Sequence, residues 1–296
     1  MKPGIKKFFA YARERHAITL KKAQGLPRPW TKDKILDHYR FCCVFRELDR
    51  TTAWYRKHVR EVYDGKPEVI PATVLFRFLN RIESGEAVFC QKDVEFNNAF
   101  EQYLQTMRVS TLKRAIKALI PNGPYVTGAY TIVGTPGLPK LDGVLDVVHN
   151  FVKSHDWKHW ADRDPTGNEC TLQVAWEWLR EYPFFGDFHS YEIVTDLRHT
   201  YYLTNAPDIM TWANPGPGAN RGANRVFGRE YDKRNSKYEL NEQMRELLDY
   251  SFDSSLWPKS PEYPRWEMRD VEHTLCEFDK YTRVRLGQGR PRGVYR

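Results

Sequence analysis

Apolar side chains recur at helical spacing along most of the chain. Between residues 35 and 63, Ile35, Tyr39, Cys42, Cys43 and Phe45 fall on one face, with Asp49, Arg50, Arg56 and Lys57 on another, which predicts two helices. Pro71 opens a further helix over 74–83, and Asp93 stands where it can cap another that reaches about residue 106. The same periodicity predicts helices over 111–120, 141–152 and 171–180. Residues 1–30 read as a basic N-terminal arm with scattered apolar positions, ended by Gly25-Leu26-Pro27-Arg28-Pro29. A run of prolines and glycines over 121–139 forms a seam in an otherwise single domain, 31–296, separating possible lobes 31–120 and 141–296. Residues 204–229, rich in Gly, Asn and Pro, predict a long loop. Only 125–133 carries a strand-like pattern, so the fold class is all-α and two-lobed, without internal repeats.

Charge then narrows the partners. Lys and Arg number 46 against 38 Asp and Glu, a formal net charge of +8, which favours a polyanion over a small acidic metabolite. Aromatic residues beside cations, as in Trp54-Tyr55-Arg56-Lys57 and Trp157-Lys158-His159-Trp160, suit base stacking as well as a core with a snorkelling rim. The five cysteines form no CxxC pair, which points to a reducing, cytoplasmic setting without structural zinc. His149, His155 and His159 lack accompanying carboxylates at ligand spacing, and no metal or cofactor is expected. No apolar run reads as a signal peptide or a membrane span, and a monomer is expected.

The stretch 179–194 predicts a helix, a tight turn through Pro183 and Gly186, and a second helix. It resembles the helix-hairpin-helix of the DNA glycosylase superfamily, whose backbone N–H groups at a helix start hold a DNA phosphate. Phe184 stands where that motif has its first glycine. Phe188 stands where bifunctional members carry a nucleophilic lysine, so the resemblance implies a monofunctional enzyme. It also points to Asp208 as the carboxylate that stabilises the sugar as the glycosidic bond breaks, although an aspartate after a proline equally reads as a cap. Glu192 and Asp196, one turn apart, are further catalytic candidates, the alternative being a solvated acidic face.

Five separated blocks resemble the helical family of DNA base hypermodification. They are Phe45-Arg46-Glu47-Leu48-Asp49-Arg50 with Trp54, Phe78-Leu79-Asn80-Arg81-Ile82-Glu83, Tyr191-Glu192-Ile193-Val194-Thr195-Asp196-Leu197, Gly216-Pro217-Gly218-Ala219-Asn220-Arg221-Gly222, and Glu272-His273-Thr274-Leu275-Cys276-Glu277-Phe278-Asp279-Lys280. That family includes the helical domain of hydroxymethyluracil DNA kinases and the thymine pyrophosphorylases or amino acid:DNA transferases. It is itself glycosylase-like. The resemblance implies DNA- or base-binding roles for Gly186, Phe184, Tyr191, Arg50, Arg81, Gly216, Gly218, Arg221, Arg225 and Lys280. Gly216 and Gly218 would allow close backbone approach, and Arg221 with Arg225 would neutralise phosphates. Asn220 occupies the place of an expected second arginine. The 296 residues contain no Gly-x-x-x-x-Gly-Lys-Ser/Thr loop, so no kinase site is carried over.

The resulting expectation is a monofunctional DNA glycosylase that flips and excises a bulky modified pyrimidine from double-stranded DNA, as in defence against phages. The alternatives are a hypermodification transferase acting on an activated hydroxymethylpyrimidine, and a non-catalytic DNA-binding module.

Overall fold

The computed structural model describes residues 1–91, 96–161, 170–291 and 293–295. In chain order its helices are α1 (Pro3–Ala23), α2 (Lys34–His38), α3 (Arg50–Tyr55), α4 (Glu61–Tyr63), α5 (Val69–Leu79), α6 (Ile82–Gly85), α7 (Ala99–Thr106), α8 (Val109–Leu119), α9 (Lys140–Ser154), α10 (Asp156–Ala161), α11 (Leu172–Arg180), α12 (Gly186–Leu197), α13 (Pro217–Phe227), α14 (Lys237–Tyr250) and α15 (Met268–Arg285). Wider π turns join α3 to α4 and extend α6, at Arg56–Arg60 and Glu86–Cys90. No strand occurs among the described residues, and the fold is all-α. Residues 125–133 are irregular: the Thr127 N–H bonds the Leu79 carbonyl at 2.9 Å and Ser84 Oγ bonds the Tyr125 carbonyl at 2.6 Å, so groups that a strand would pair are taken by residues of α5 and α6.

The chain forms two units. The first comprises residues 1–49 and 208–296, the second residues 50–207. These limits differ from the lobes read from the sequence, because the Pro/Gly-rich seam at 121–139 lies within the second unit. Residues 1–30 are not a free arm. Ile5, Phe8, Phe9 and Ala12 of α1 are fully buried, and the rings of Phe8, Phe9, Trp266 and Phe278 meet at centroid distances of 5.2–5.9 Å in the first unit's core. Edge-on packing of such rings adds specificity to the burial itself.

The largest departure from the sequence reading is α13, which lies where 204–229 reads as loop. Pro217 at its first turn and Gly228 in the left-handed conformation (φ 68°) give it proper ends. Its interior glycines weaken an isolated helix by about 1 kcal/mol each. Here they permit a close approach. A Cβ on Gly222 would lie 2.1 Å from the Leu275 carbonyl oxygen of α15, and one on Gly218 would lie 2.4 Å from Cys276 Sγ. Gly4 of α1 meets the Val226 carbonyl in the same manner, at 2.0 Å.

In the second unit α5 is buried on every side, with Arg77 its one charged residue. It packs on α9 and α12, and Phe78 lies edge-on to Phe185 at 5.0 Å. Trp157 and Trp160 are buried, and Trp54 stacks on Phe76 at 5.4 Å, so these cation-flanked aromatics are packing elements. Asp93 lies outside the described residues; Asn98 caps α7 by accepting the Glu101 N–H at 3.0 Å. Among the described residues no helix is long and apolar enough to cross a membrane.

Gly222→Ala should destabilise the first unit by about 3 kcal/mol, because the new methyl group meets backbone rather than a movable side chain. Chemical denaturation checks this, with Gly128→Ala, where a methyl group meets nothing within 4 Å, as the neutral control.

Candidate functional site

In the first unit, α15 carries polar groups on two faces. One face meets α13. Asp279, 1% exposed, receives Nε of Arg225 at 2.8 Å and Nε of Arg221 at 3.1 Å, and Arg283 Nε lies 3.2 Å away. Arg221 and Arg225 are one turn apart on α13, so one carboxylate can hold both. Three guanidinium groups share one carboxylate, which leaves two positive charges in surplus. Arg221 and Arg283 remain about one third exposed, while Arg225 packs over the Tyr231 ring at 4.3 Å. Beside them opens a cavity of about 530 Å³. Lys2, Lys7, Arg225, Arg229 and Arg285 line it, no carboxylate does, and Phe227 and Tyr231 supply aromatic faces. Such a cavity suits a phosphate-bearing ligand with a planar group.

The glycine-rich block serves this face. Gly216 donates its N–H to Glu272 Oε1 at 3.3 Å, and Gly218 seats the helix on Cys276. Asn220 has a structural task in place of the expected arginine. Its Nδ2 donates to the Lys233 carbonyl at 2.8 Å, and its Oδ1 accepts from Asn235, which orders the loop that presents Tyr231.

The other face of α15 meets residues 41–49. Lys280 pairs with Glu277 at 2.6 Å and lies over the Phe41 ring, while the Cys42 N–H donates to Glu277 Oε2 at 2.9 Å. Asp49 accepts the Cys43 N–H at 2.9 Å and pairs with Arg46 at 3.3 Å. His273 faces this polar patch. Burial, reinforced by Arg46, Lys280, Arg269 and Arg15, holds its imidazole neutral. Glu267 and Asp270 cap α15 reciprocally, and burial pushes the Asp270 carboxyl up to about 7. Three of the five blocks, 45–50, 216–222 and 272–280, thus converge on one helix.

The second unit gathers the other two blocks, 78–83 and 191–197. Arg77 is fully enclosed between α5 and α12. Its Nε and Nη2 hold Asp196, the latter at 2.6 Å to Oδ1, and its Nη1 reaches Glu192 and Asn80, each at 3.4 Å. Glu192 and Asp196 do face one point, but that point is a buried guanidinium. Burial alone would lower the pKa of Arg77; attraction to Asp196 outweighs it and raises it. His189 stacks on Phe78 at 5.0 Å, and burial pulls its pKa down to about 4, so its ring is neutral. Tyr191 is buried, Arg81 pairs with Glu83 at 3.2 Å, and Arg50 is exposed at the start of α3.

The hairpin is present as α11, a turn over 181–185, and α12. Phe184 adopts the left-handed conformation (φ 70°) that a glycine would take without strain, and Gly186 follows at φ 58°. Asp187 sits in the first turn of α12, paired with Arg180 at 2.6 Å. Its carboxylate places negative charge at the helix end where a phosphate would bind. Asp208 begins the second segment of the first unit, half-buried, with its carbonyl accepting the N–H groups of Thr211 and Trp212. It therefore belongs to a different unit from Gly186 and the two α12 carboxylates.

Fold and site together define an all-helical protein with a cation-lined site built around a buried carboxylate. The family model for the helical domain of 5-hmdU DNA kinase matches residues 2–290, and the chain belongs to that family. The 5-hmdU DNA kinase of Bacillus phage SP10 is 25% identical over 222 residues, covering 69% of this chain and 33% of that protein. The chain thus spans about a third of the length of the curated relative it matches. No solved structure matches it.

Asp270→Asn tests the cost of the buried carboxyl. A pKa raised from 3.8 to about 7 in the folded state contributes stability that is complete below 3.8 and is lost as pH rises through 7. The variant, which keeps the accepting oxygen but cannot ionise, should gain on the parent steadily between these pH values, as read by denaturant unfolding across a pH series.

Proposed function

We propose that this chain acts on DNA as a base-modifying transferase, replacing an activated group on the exocyclic carbon of a hydroxymethylpyrimidine. The observation that carries the reading is the cation-rich cavity beside Asp279, in the unit where three of the family blocks meet. A phosphorylated hydroxymethyl base places its negative charge on the leaving group. Displacement by an amine or similar nucleophile forms a new bond to the methylene carbon as the carbon–oxygen bond breaks and the phosphate or pyrophosphate departs with the electron pair. Arg221 and Arg283, held by Asp279 yet accessible, would stabilise that departing charge without reorganising. Lys2, Lys7, Arg229 and Arg285 would bind the adjoining DNA phosphates.

This reading replaces excision as the preferred one. The matched family and the relative bear the name of a DNA base kinase, an enzyme that builds on a base rather than removing it. Two of the three carboxylates proposed for excision, Glu192 and Asp196, are committed to Arg77. Asp208 supplies the remaining candidate for a glycosylase.

The test incubates the protein with hydroxymethyluracil DNA, previously phosphorylated by a 5-hmdU DNA kinase, and a mixture of isotope-labelled amino acids and amines, followed by nucleoside mass spectrometry. A new labelled nucleoside is expected, and Arg221→Ala should slow its formation on the order of 100-fold. Abasic sites and free base instead, abolished by Asp208→Asn, would overturn transfer in favour of excision.

A further inference from the structure

We propose that Cys42, Asp49 and His273 form a binding site for one divalent transition-metal ion of the zinc or iron(II) type. The thiol sulfur, a carboxylate oxygen and an imidazole nitrogen lie within 4.8 Å of one another, the one such cluster of three among the described residues. In a tetrahedral site, bonds of about 2.0–2.3 Å place ligand atoms roughly 3.3–3.8 Å apart, so side-chain rotations of about 1 Å close this set onto an ion. No sequence motif announces it, because two ligands come from the 41–49 segment and the third from α15.

A second observation points to a ligand independently. Nε2 of His273 is buried and has no hydrogen-bond partner among the described residues. A buried polar nitrogen left without a partner is destabilising, and a metal bound at Nε2 would satisfy it. The ring is already neutral, the form that ligates.

The surroundings fix the other two ligands. Asp49 is oriented by the Cys43 N–H at 2.9 Å and by Arg46 at 3.3 Å, and the backbone of Cys42 is tied to Glu277, itself held by Lys280. Outer partners of this kind preserve ligand geometry. Burial pushes the Cys42 thiol up, so the free protein carries it protonated. Binding therefore forms the metal–sulfur bond and releases one proton to solvent, and thiolate and carboxylate together neutralise the dication. Three protein ligands leave a fourth position open, which is the pattern of a reactive rather than a purely structural site. The proposal concerns binding and does not depend on the transferase reading.

The test is cobalt(II) titration of the chelator-treated protein, followed by absorption spectroscopy. One equivalent should bind, with a thiolate-to-metal charge-transfer band in the ultraviolet and visible bands of tetrahedral intensity. Cys42→Ser should abolish the charge-transfer band, and His273→Gln and Asp49→Asn should each weaken binding at least tenfold while circular dichroism stays unchanged. X-ray absorption of the zinc-loaded parent protein, which needs no variant, should show one sulfur among nitrogen and oxygen scatterers. A shell without sulfur, a charge-transfer band that survives Cys42→Ser, or failure to bind a stoichiometric ion would overturn the proposal.

Discussion

The first unit depends on how closely α13 approaches α15. Ordinary side chains would hold the two helices apart, whereas Gly218 and Gly222 let backbone meet backbone and sulfur. At that separation Arg221 and Arg225 reach Asp279, and Arg283 reaches it from one turn further along α15. A carboxylate buried this deeply needs charge partners, since an unpaired one costs several kcal/mol. Helix packing and electrostatics therefore require one another: the glycines make the contact possible, and the ion cluster fixes its register. Two guanidinium groups stay partly accessible as a result, with positive charge that the protein itself does not neutralise.

The second unit uses the same device inside a more apolar core. Arg77 is the single charge on α5, and it meets the two carboxylates that α12 presents one turn apart. Removing the guanidinium would strand both. The pairing selects one rotation of α12 against α5, a specificity that the surrounding Phe and Leu side chains, being interchangeable in chemistry, supply less well.

Much of this was legible in the sequence. Helical periodicity located α8, α9 and α11 to within two residues, because each buries one clear stripe. The five blocks placed the chain in its family. Arg221 and Arg225 entered through the glycine-rich block, and Glu277 with Lys280 through the block at 272–280. The glycine- and asparagine-rich α13 was not legible, since its stability comes from a partner 50 residues away rather than from propensity. Nor was Arg77, an arginine within an apolar run, which pattern reading passes over; a lone cation in a helix apolar on every side is itself the signal of a buried partner. Asp279, read only as part of a block, gained its meaning from Arg221, Arg225 and Arg283 together. The grouping of Cys42, Asp49 and His273 required the fold.

On the proposed transferase reading, the first unit holds the phosphate-bearing part of a DNA substrate at α13 and α15. Photo-crosslinking to DNA that carries iododeoxyuridine, with mapping of the modified peptides, tests it most directly. Adducts at Phe227, Tyr231 and neighbouring residues of the cation-lined cavity are the predicted result. Adducts confined to the hairpin around Phe184 and Gly186, with none in the first unit, would contradict it.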